Sequence, residues 1–206
     1  MIVSVFIGTS VDGFIARRNG SYDFLPEGGG EPHGYDEFMA SVDTLVIGRK
    51  TFEAVLALAD WPYGGKNVVV LSSKPVDFSG VRGNVIQQMA SSPAEIVATL
   101  AAKGAQHVYV DGGITIQRFL RDGLIQRLII TRVPVLIGEG IPSLAHCREM
   151  CGYVTWRRSS IRAAWLKASI ASFPNEQMTP VPFRSANPSI PDAKPCLTRS
   201  PDKGAK

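Results

Sequence analysis

Between residues 107 and 120 a short β-favouring run, His107-Val108-Tyr109-Val110, meets Asp111-Gly112-Gly113, after which Ile116, Phe119 and Leu120 recur at helical spacing. No other stretch restricts the fold so far. A strand that becomes a helix across two glycines belongs to a layered α/β arrangement, and the unpaired N–H groups of the helix start, at the positive end of its dipole, favour an anion there. Residues without Cβ also let a ligand approach the backbone. The same signature serves a tight strand-to-helix turn with no ligand, and a second junction of the same kind discriminates between the two.

That second junction lies upstream. Thr44-Leu45-Val46-Ile47 reads as a strand ending at Gly48, and Arg49-Lys50-Thr51-Phe52-Glu53 opens a helix running to about Leu58. Cations at the amino end of a helix are unfavourable unless an anion faces them, so Arg49 and Lys50 point to a ligand phosphate; a solvated charged turn is the alternative. Residues 2 to 8 and 67 to 71 are nearly continuous apolar, β-branched runs, the pattern of strands covered on both faces. The second runs into Ser72-Ser73-Lys74-Pro75, which places hydroxyls and a cation beyond the carboxyl end of a buried strand, where open α/β sheets bind ligands.

The remaining segments continue the alternation. Tyr35, Phe38, Met39 and Val42 predict a short amphipathic helix, Asn84 to Met89 a strand, Ser92 to Gly104 a capped helix, and Gln126 to Leu136 a long strand broken or bulged at Pro134. Strand and helix in turn imply a largely parallel sheet with helices on both faces. No Gly-x-Gly-x-x-Gly follows the first strand, so the usual dinucleotide fingerprint is absent. The two helix starts, Gly48 to Thr51 and Gly112 to Thr115, would instead grip one extended dinucleotide from opposite sides.

A net charge of +4 would suggest nucleic acid until it is divided along the chain. Residues 1 to 143 carry 12 Lys+Arg against 14 Asp+Glu, net −2, and residues 144 to 206 carry 10 against 4, net +6. The part that reads as globular therefore has no basic footprint for a phosphate backbone, and no nucleic-acid partner is expected. With no run of about 18 apolar residues and no basic segment ahead of the first strand, the sequence reads as soluble, unsecreted and cytoplasmic, with no membrane partner. Cys147, Cys151 and Cys196 fit neither a disulfide framework nor paired zinc ligands, and no metal is expected.

Five motifs in order, Ser10-Val11-Asp12-Gly13-Phe14-Ile15-Ala16, Ile47-Gly48-Arg49-Lys50-Thr51-Phe52-Glu53, Val70-Leu71-Ser72-Ser73-Lys74-Pro75, Val110-Asp111-Gly112-Gly113 and residues 134 to 142, resemble the dihydrofolate reductase-like superfamily. Within it, the closest resemblance is to the reductase domain of bacterial riboflavin biosynthesis. The resemblance implies a mainly parallel central sheet flanked by helices on both faces, ending in an antiparallel strand pair, and a homodimeric NADPH-dependent reductase of a small heterocycle. It implies that Arg49, Lys50 and Thr51, following Gly48, meet the 2′-phosphate side of the cofactor. Leu71, Ser72 and Ser73 would meet the adenosine half, and Asp111, Gly112, Gly113, Ile114 and Thr115 the pyrophosphate. Asp12 would lie in the loop beside nicotinamide and substrate, orienting the substrate or relaying a proton.

True dihydrofolate reductases bind the pterin through a carboxylate on the first helix, and here Asp36 and Glu37 stand out of register with it. A pyrimidine is thus the expected substrate, reduced at a carbon–nitrogen double bond as by 5-amino-6-(5-phosphoribosylamino)uracil reductase. The alternatives are a dihydrofolate or pterin reductase and a non-catalytic nucleotide-binding module with an incomplete sheet. The resemblance covers residues 1 to 142. Residues 143 to 173 read as an atypical basic segment, with one amphipathic helix over residues 153 to 172 carrying Trp165, Leu166 and Ile170 on one side. Residues 174 to 206, punctuated by proline, read as a disordered tail, and the whole end as a shifted reading frame or fusion that replaced the family's last strands, with an interaction tail as the alternative.

Overall fold

In the computed structural model the residues described are 1–25, 34–81, 86–143, 153–161 and 165–172. Four strands are written as near-continuous apolar runs and are buried on both faces: β1 (Ile2–Thr9), β3 (Thr44–Gly48), β4 (Asn67–Leu71) and β6 (His107–Asp111). Their alternate residues feed two different cores. Val46, Val69, Val108 and Val110 pack with Ile96, Leu100, Ile116 and Phe119 on one face. Leu45, Ile47, Val68, Val70 and Tyr109 pack with Phe38 and Phe52 on the other. The period of two along each strand therefore serves two layers of helix.

Those layers are α1 (Tyr35–Ser41) and α2 (Arg49–Leu56) on the second face, and α3 (Pro93–Ala102) and α4 (Gly113–Arg121) on the first. Each fully buried side chain such as Phe52 or Phe119 contributes roughly 1.5–3 kcal/mol of burial free energy. With β5 (Ile86–Met89), β7 (Arg127–Arg132), β9 (Tyr153–Ile161) and β10 (Trp165–Ser172), the main sheet runs β5-β4-β3-β6-β1-β7-β10-β9. The first six strands pair in parallel, whereas β10 runs antiparallel to β7 and β9 antiparallel to β10. A separate ribbon pairs β2 (Phe14–Ala16) with β8 (Ile141–Pro142).

The expected α/β architecture is observed, with one correction. The strand expected over residues 126 to 136 is broken at Pro134: β7 ends at Arg132, the Val133 N–H still donates to the Thr9 carbonyl at 2.7 Å, and proline has no N–H with which to continue the ladder. Residues 153 to 172 form no helix. They make the two strands that cover the exposed side of β7, with Leu166 opposite Arg132 and Ala171 opposite Arg127, so the sheet is not cut short after residue 142. An unpaired edge offers a row of N–H and C=O groups, and pairing it outweighs the weak helical spacing of this stretch.

The chain divides into two units, residues 1–175 and 176–206. The expected disordered tail over residues 174–206, and the cysteines at 147, 151 and 196, lie outside the described residues. Among the described residues no helix is long and apolar enough to cross a membrane.

Candidate functional site

The connections of the sheet open a crevice between β3 and β6. From β3 the chain leaves through α2 on one face toward β4, while from the neighbouring β6 it leaves through α4 on the other face toward β7. Where adjacent parallel strands send their helices to opposite faces, their carboxyl ends open outward, and such switch points are where open α/β sheets bind ligands. Ile47 and Asp111 lie side by side in register there, so Gly48 and Gly112 stand next to each other at the mouth.

Both glycines are helix N-caps without a side-chain cap bond. The third helix of comparable length behaves differently: the Ser92 hydroxyl accepts the Glu95 N–H and the Glu95 carboxylate returns to the Ser92 N–H, a complete capping box. The chain therefore caps α3 with its own side chains and leaves the starts of α2 and α4 to something else. Their first-turn N–H groups and dipole ends converge on one crevice.

The glycines themselves are not open to a ligand in the way the sequence suggested. A Cβ on Gly112, at φ +92°, would lie 2.5 Å from the Thr51 hydroxyl, and one on Gly48 would lie 3.0 Å from the Thr115 hydroxyl. The two junctions interlock, each threonine filling the space over the other's glycine. At Gly113 a Cβ would meet Ile141 at 2.6 Å and Ile15 at 2.8 Å, the two strands of the small ribbon. The missing side chains are thus used for chain-to-chain packing, and an anion is left with the N–H groups. Ile114, next along α4, is 66% exposed in the first turn.

Beyond the crevice, toward the β5 edge, runs an open groove of about 430 Å³. Its lining includes Arg49, Lys74 and Arg118, and no carboxylate among the described residues. The end of β4 and the loop after it supply Leu71, Ser72 and Ser73, and Met89, Ala90 and Ser91 close the other side. Gln88 fixes that loop: its amide donates to the carbonyls of Ser72 and Lys74, both at 2.9 Å, and accepts from the Val76 N–H at 3.1 Å. The Ser72 hydroxyl donates to the Lys74 carbonyl at 2.7 Å, so Ser72 shapes the turn and Ser73 is the more available hydroxyl.

Arg49 is not the uncompensated cation that its position suggests. Its guanidinium meets Glu53 at 2.6 Å, one helical turn on, with both side chains about half exposed. Among the described residues no carboxylate pairs with Lys74 or Arg118. Lys50 and Thr51 do not line the groove, and Thr51 faces Gly112 instead. Of the expected cofactor residues, the groove gathers Arg49, Leu71, Ser72 and Ser73, while the crevice gathers Gly48, Thr51, Asp111, Gly112, Gly113, Ile114 and Thr115.

Arg118 was invisible to motif reading. It sits five residues past Gly113 in the last turn of α4, where a cation is also explained by the helix dipole. Its exposed place on an otherwise amphipathic helix was the one available signal.

The opposite wall is built by Asp12. Its carboxylate accepts the Gly138 N–H at 2.8 Å and the Ile137 N–H at 3.2 Å, and the Val11 N–H donates to the Val135 carbonyl at 2.9 Å. The Ser10 hydroxyl and those two N–H groups hold the Asp12 carboxyl below its ordinary pKa, so it is ionised at neutral pH. Ser143 closes the same wall by donating from N–H and hydroxyl to the Gly13 carbonyl, and Gly140 lies so close to the Ala16 carbonyl that a Cβ would collide with it. Gln117 of α4 donates to the Pro142 carbonyl at 2.6 Å and ties the wall to the crevice.

At the crevice floor Asp111 takes the Gly112 N–H at 2.7 Å. Burial raises its pKa, and it stands near the hydroxyls of Tyr109, Tyr35 and Tyr63. Burial, with the charge of Asp111, pushes Tyr35 to about 12. Asp36 and Glu37 of α1 are exposed, and the α1 residue turned into the core is Phe38.

Comparison with known proteins agrees with this fold. The RibD C-terminal domain family matches residues 1–163, beyond the limit at residue 142 expected from motifs. The uncharacterized protein YwjB of Bacillus subtilis (strain 168) is 33% identical over 141 residues, 67% of this chain and 79% of its own length. A candidate riboflavin biosynthesis protein of Shewanella sp. PV-4 has a solved structure that is 33% identical, with TM-score 0.77, covering 84% of this chain and all of that one. The diaminohydroxyphosphoribosylaminopyrimidine deaminase/5-amino-6-(5-phosphoribosylamino)uracil reductase of Thermotoga maritima shares the fold alone: TM-score 0.65 at 12% identity, over 84% of this chain and 56% of that one.

Proposed function

This chain belongs to the RibD C-terminal domain family, a family of reductase-like proteins of the riboflavin-pathway type, and from that premise we propose that it is an NADPH-dependent reductase of a pyrimidine-type heterocycle. One observation carries the proposal. Two uncapped helix starts converge on a switch-point crevice that leads into a groove bearing Arg49, Lys74 and Arg118 and no carboxylate among the described residues. That donor set suits a long ligand with anions at two separated places, as an NADP-type dinucleotide has in its pyrophosphate and its 2′-phosphate.

The reducing chemistry is the cofactor's, a hydride delivered to a carbon–nitrogen double bond. The protein's part is positioning. The N–H groups at the starts of α2 and α4 take the pyrophosphate, Ser73 and the cations of the groove take the adenosine end, and the Asp12 wall fixes the substrate against the crevice. Asp12, ionised and bonded to Ile137 and Gly138, acts as a positioning residue that sets the place of the loop. A homodimer in the cytoplasm is the setting proposed with this activity.

The exposed carboxylates of α1 give the pterin reading no buried partner for the ring, and the pyrimidine reading is preferred for that reason. The test follows NADPH fluorescence on binding, then absorbance as pyrimidines and pterins are added. Oxidation with a ribosylaminopyrimidine and not with dihydrofolate is expected. Binding without oxidation by any heterocycle would leave a nucleotide-binding module and reject the reductase. Asp12→Asn should slow turnover by roughly 10- to 100-fold with NADPH affinity kept, through misplacement of the loop; unchanged turnover ends the role given to Asp12.

A further inference from the structure

Resting on the reading just given and extending it to one residue, we infer that Arg118 is the group that determines recognition of a phosphomonoester in the groove, ahead of Arg49. Three observations bring it forward. The groove places the cations of Arg49, Lys74 and Arg118 around one volume and sets no carboxylate opposite them among the described residues. Gathering like charges is unfavourable unless an anion of matching charge completes the site, and a phosphomonoester dianion does so where a ribose hydroxyl does not.

The three cations are also unequal. Arg49 already has the Glu53 carboxylate at 2.6 Å, so part of its hydrogen-bonding fork is taken. Lys74 is a point charge on a loop that Gln88 holds through the Lys74 carbonyl, which fixes the backbone and leaves the ammonium on a flexible stem. Of the three, Arg118 combines a guanidinium with no carboxylate partner among the described residues and a seat on a helix that the buried Ile116, Phe119 and Leu120 anchor to the core. A planar fork on a rigid element meets two phosphate oxygens at the smallest entropic cost. Arg121 provides the other last-turn cation of α4 and does not line the groove, so the helix dipole leaves the position of Arg118 toward the groove unexplained.

The experiment uses the full chain and binding alone. Adenosine 2′,5′-bisphosphate and adenosine 5′-monophosphate are titrated calorimetrically into the unaltered protein and into Arg118→Ala, Arg118→Lys and Arg49→Ala; NADPH and NADH are followed by fluorescence. Arg118→Ala should weaken the bisphosphate by about tenfold or more and leave the monophosphate within about twofold, with NADPH and NADH moving in parallel with them. Arg118→Lys should recover only part of the loss, and Arg49→Ala should lose less than Arg118→Ala. Arg118 is exposed, so its variants keep the fold, which circular dichroism checks.

Equal weakening of both nucleotides, or none, overturns the inference. If the unaltered protein binds NADPH while Arg118→Ala discriminates as before, the inference falls and the reductase stands. If the Arg118-dependent binding is found but no heterocycle is ever reduced, the reductase falls and the inference stands. A folded protein that binds neither adenosine nucleotide rejects both.

Discussion

The two ends of the parallel sheet treat their polar groups in opposite ways. At the amino end the chain satisfies itself. The Asp43 carboxylate accepts the N–H groups of Gln106 and His107, both at 2.7 Å, and the Thr44 hydroxyl at 2.6 Å; the buried His107 ring lies between the Ser4 hydroxyl at 2.7 Å and the Ser41 carbonyl at 3.0 Å. At the carboxyl end the starts of α2 and α4, like that of α1, have no side-chain cap, and two cations of the groove have no carboxylate partner among the described residues. One sheet thus has a closed end that holds strands in register and an open end with bonding capacity left over. Buried polar groups are paired as a rule, so a concentration of unused donors at one end marks where a partner is expected.

If that contrast is real, substitutions at the open end change ligand affinity and those at the closed end change stability. The largest effect is expected at Gly112. Gly112→Val forces a β-branched side chain to φ +92° and into the Thr51 hydroxyl, with roughly 1–3 kcal/mol of strain and displacement of the N–H groups beside it. NADPH binding should fall by about 100-fold or more, measured by fluorescence titration. Retained affinity would detach the crevice from the ligand.

Next in size is Asp43→Ala, which leaves the N–H groups of Gln106 and His107 without their acceptor. It should cost about 1–3 kcal/mol in urea unfolding while NADPH affinity stays within about twofold. An equal loss of affinity would show that the two ends are not separable.

The closed end should also respond to pH. Burial draws the pKa of His107 below its ordinary value, against weaker help from the Ser41 carbonyl. The unfolded chain, with a histidine near pKa 6.5, then takes up a proton before the folded protein does. Stability carried by neutral His107 is present above about pH 6.5 and declines as pH falls below it toward the lower folded pKa. Thermal unfolding between about pH 7 and pH 5 should show this decline, and His107→Asn should flatten it; equal slopes would remove His107 as the cause.

The smallest expected effect returns to the groove. Glu53→Gln releases Arg49 from an exposed pair worth about 0.3–0.5 kcal/mol, so preference for NADPH over NADH should rise by roughly twofold. A fall in that preference would mean that Glu53 orients Arg49 for the ligand and does not compete for it.

Much of the open end was legible from local signals. The glycine junctions after Ile47 and Val110, the Ser72-Ser73 loop and the cation at residue 49 are where the structure places the crevice and groove. Their physical meaning was less legible. Gly112 and Gly113 looked like room for a ligand, and the folded chain fills that room with Thr51, Ile15 and Ile141, residues distant in sequence. Arg118 carries no motif, because it joins Arg49 and Lys74 around the groove only once the chain has folded. The strands of residues 153 to 172 are not legible locally, because a short stretch with apolar residues at mixed spacing does not announce the open edge of β7 that it will meet.

The sequence by itself determined the alternation of buried strands and helices, since runs such as Asn67 to Leu71 can bury apolar side chains on both sides only in a sheet covered twice. It also determined the cap of α3, because Ser92 and Glu95 need only each other. Strand order was decided by the tertiary structure alone. Side-chain periodicity acts over a few residues, whereas the adjacency of β3 and β6, separated by some sixty residues, depends on which faces remain to be covered once all the helices have packed. From that adjacency come the switch point, the two uncapped helix starts side by side, and the gathering of Arg49, Lys74 and Arg118 around one groove.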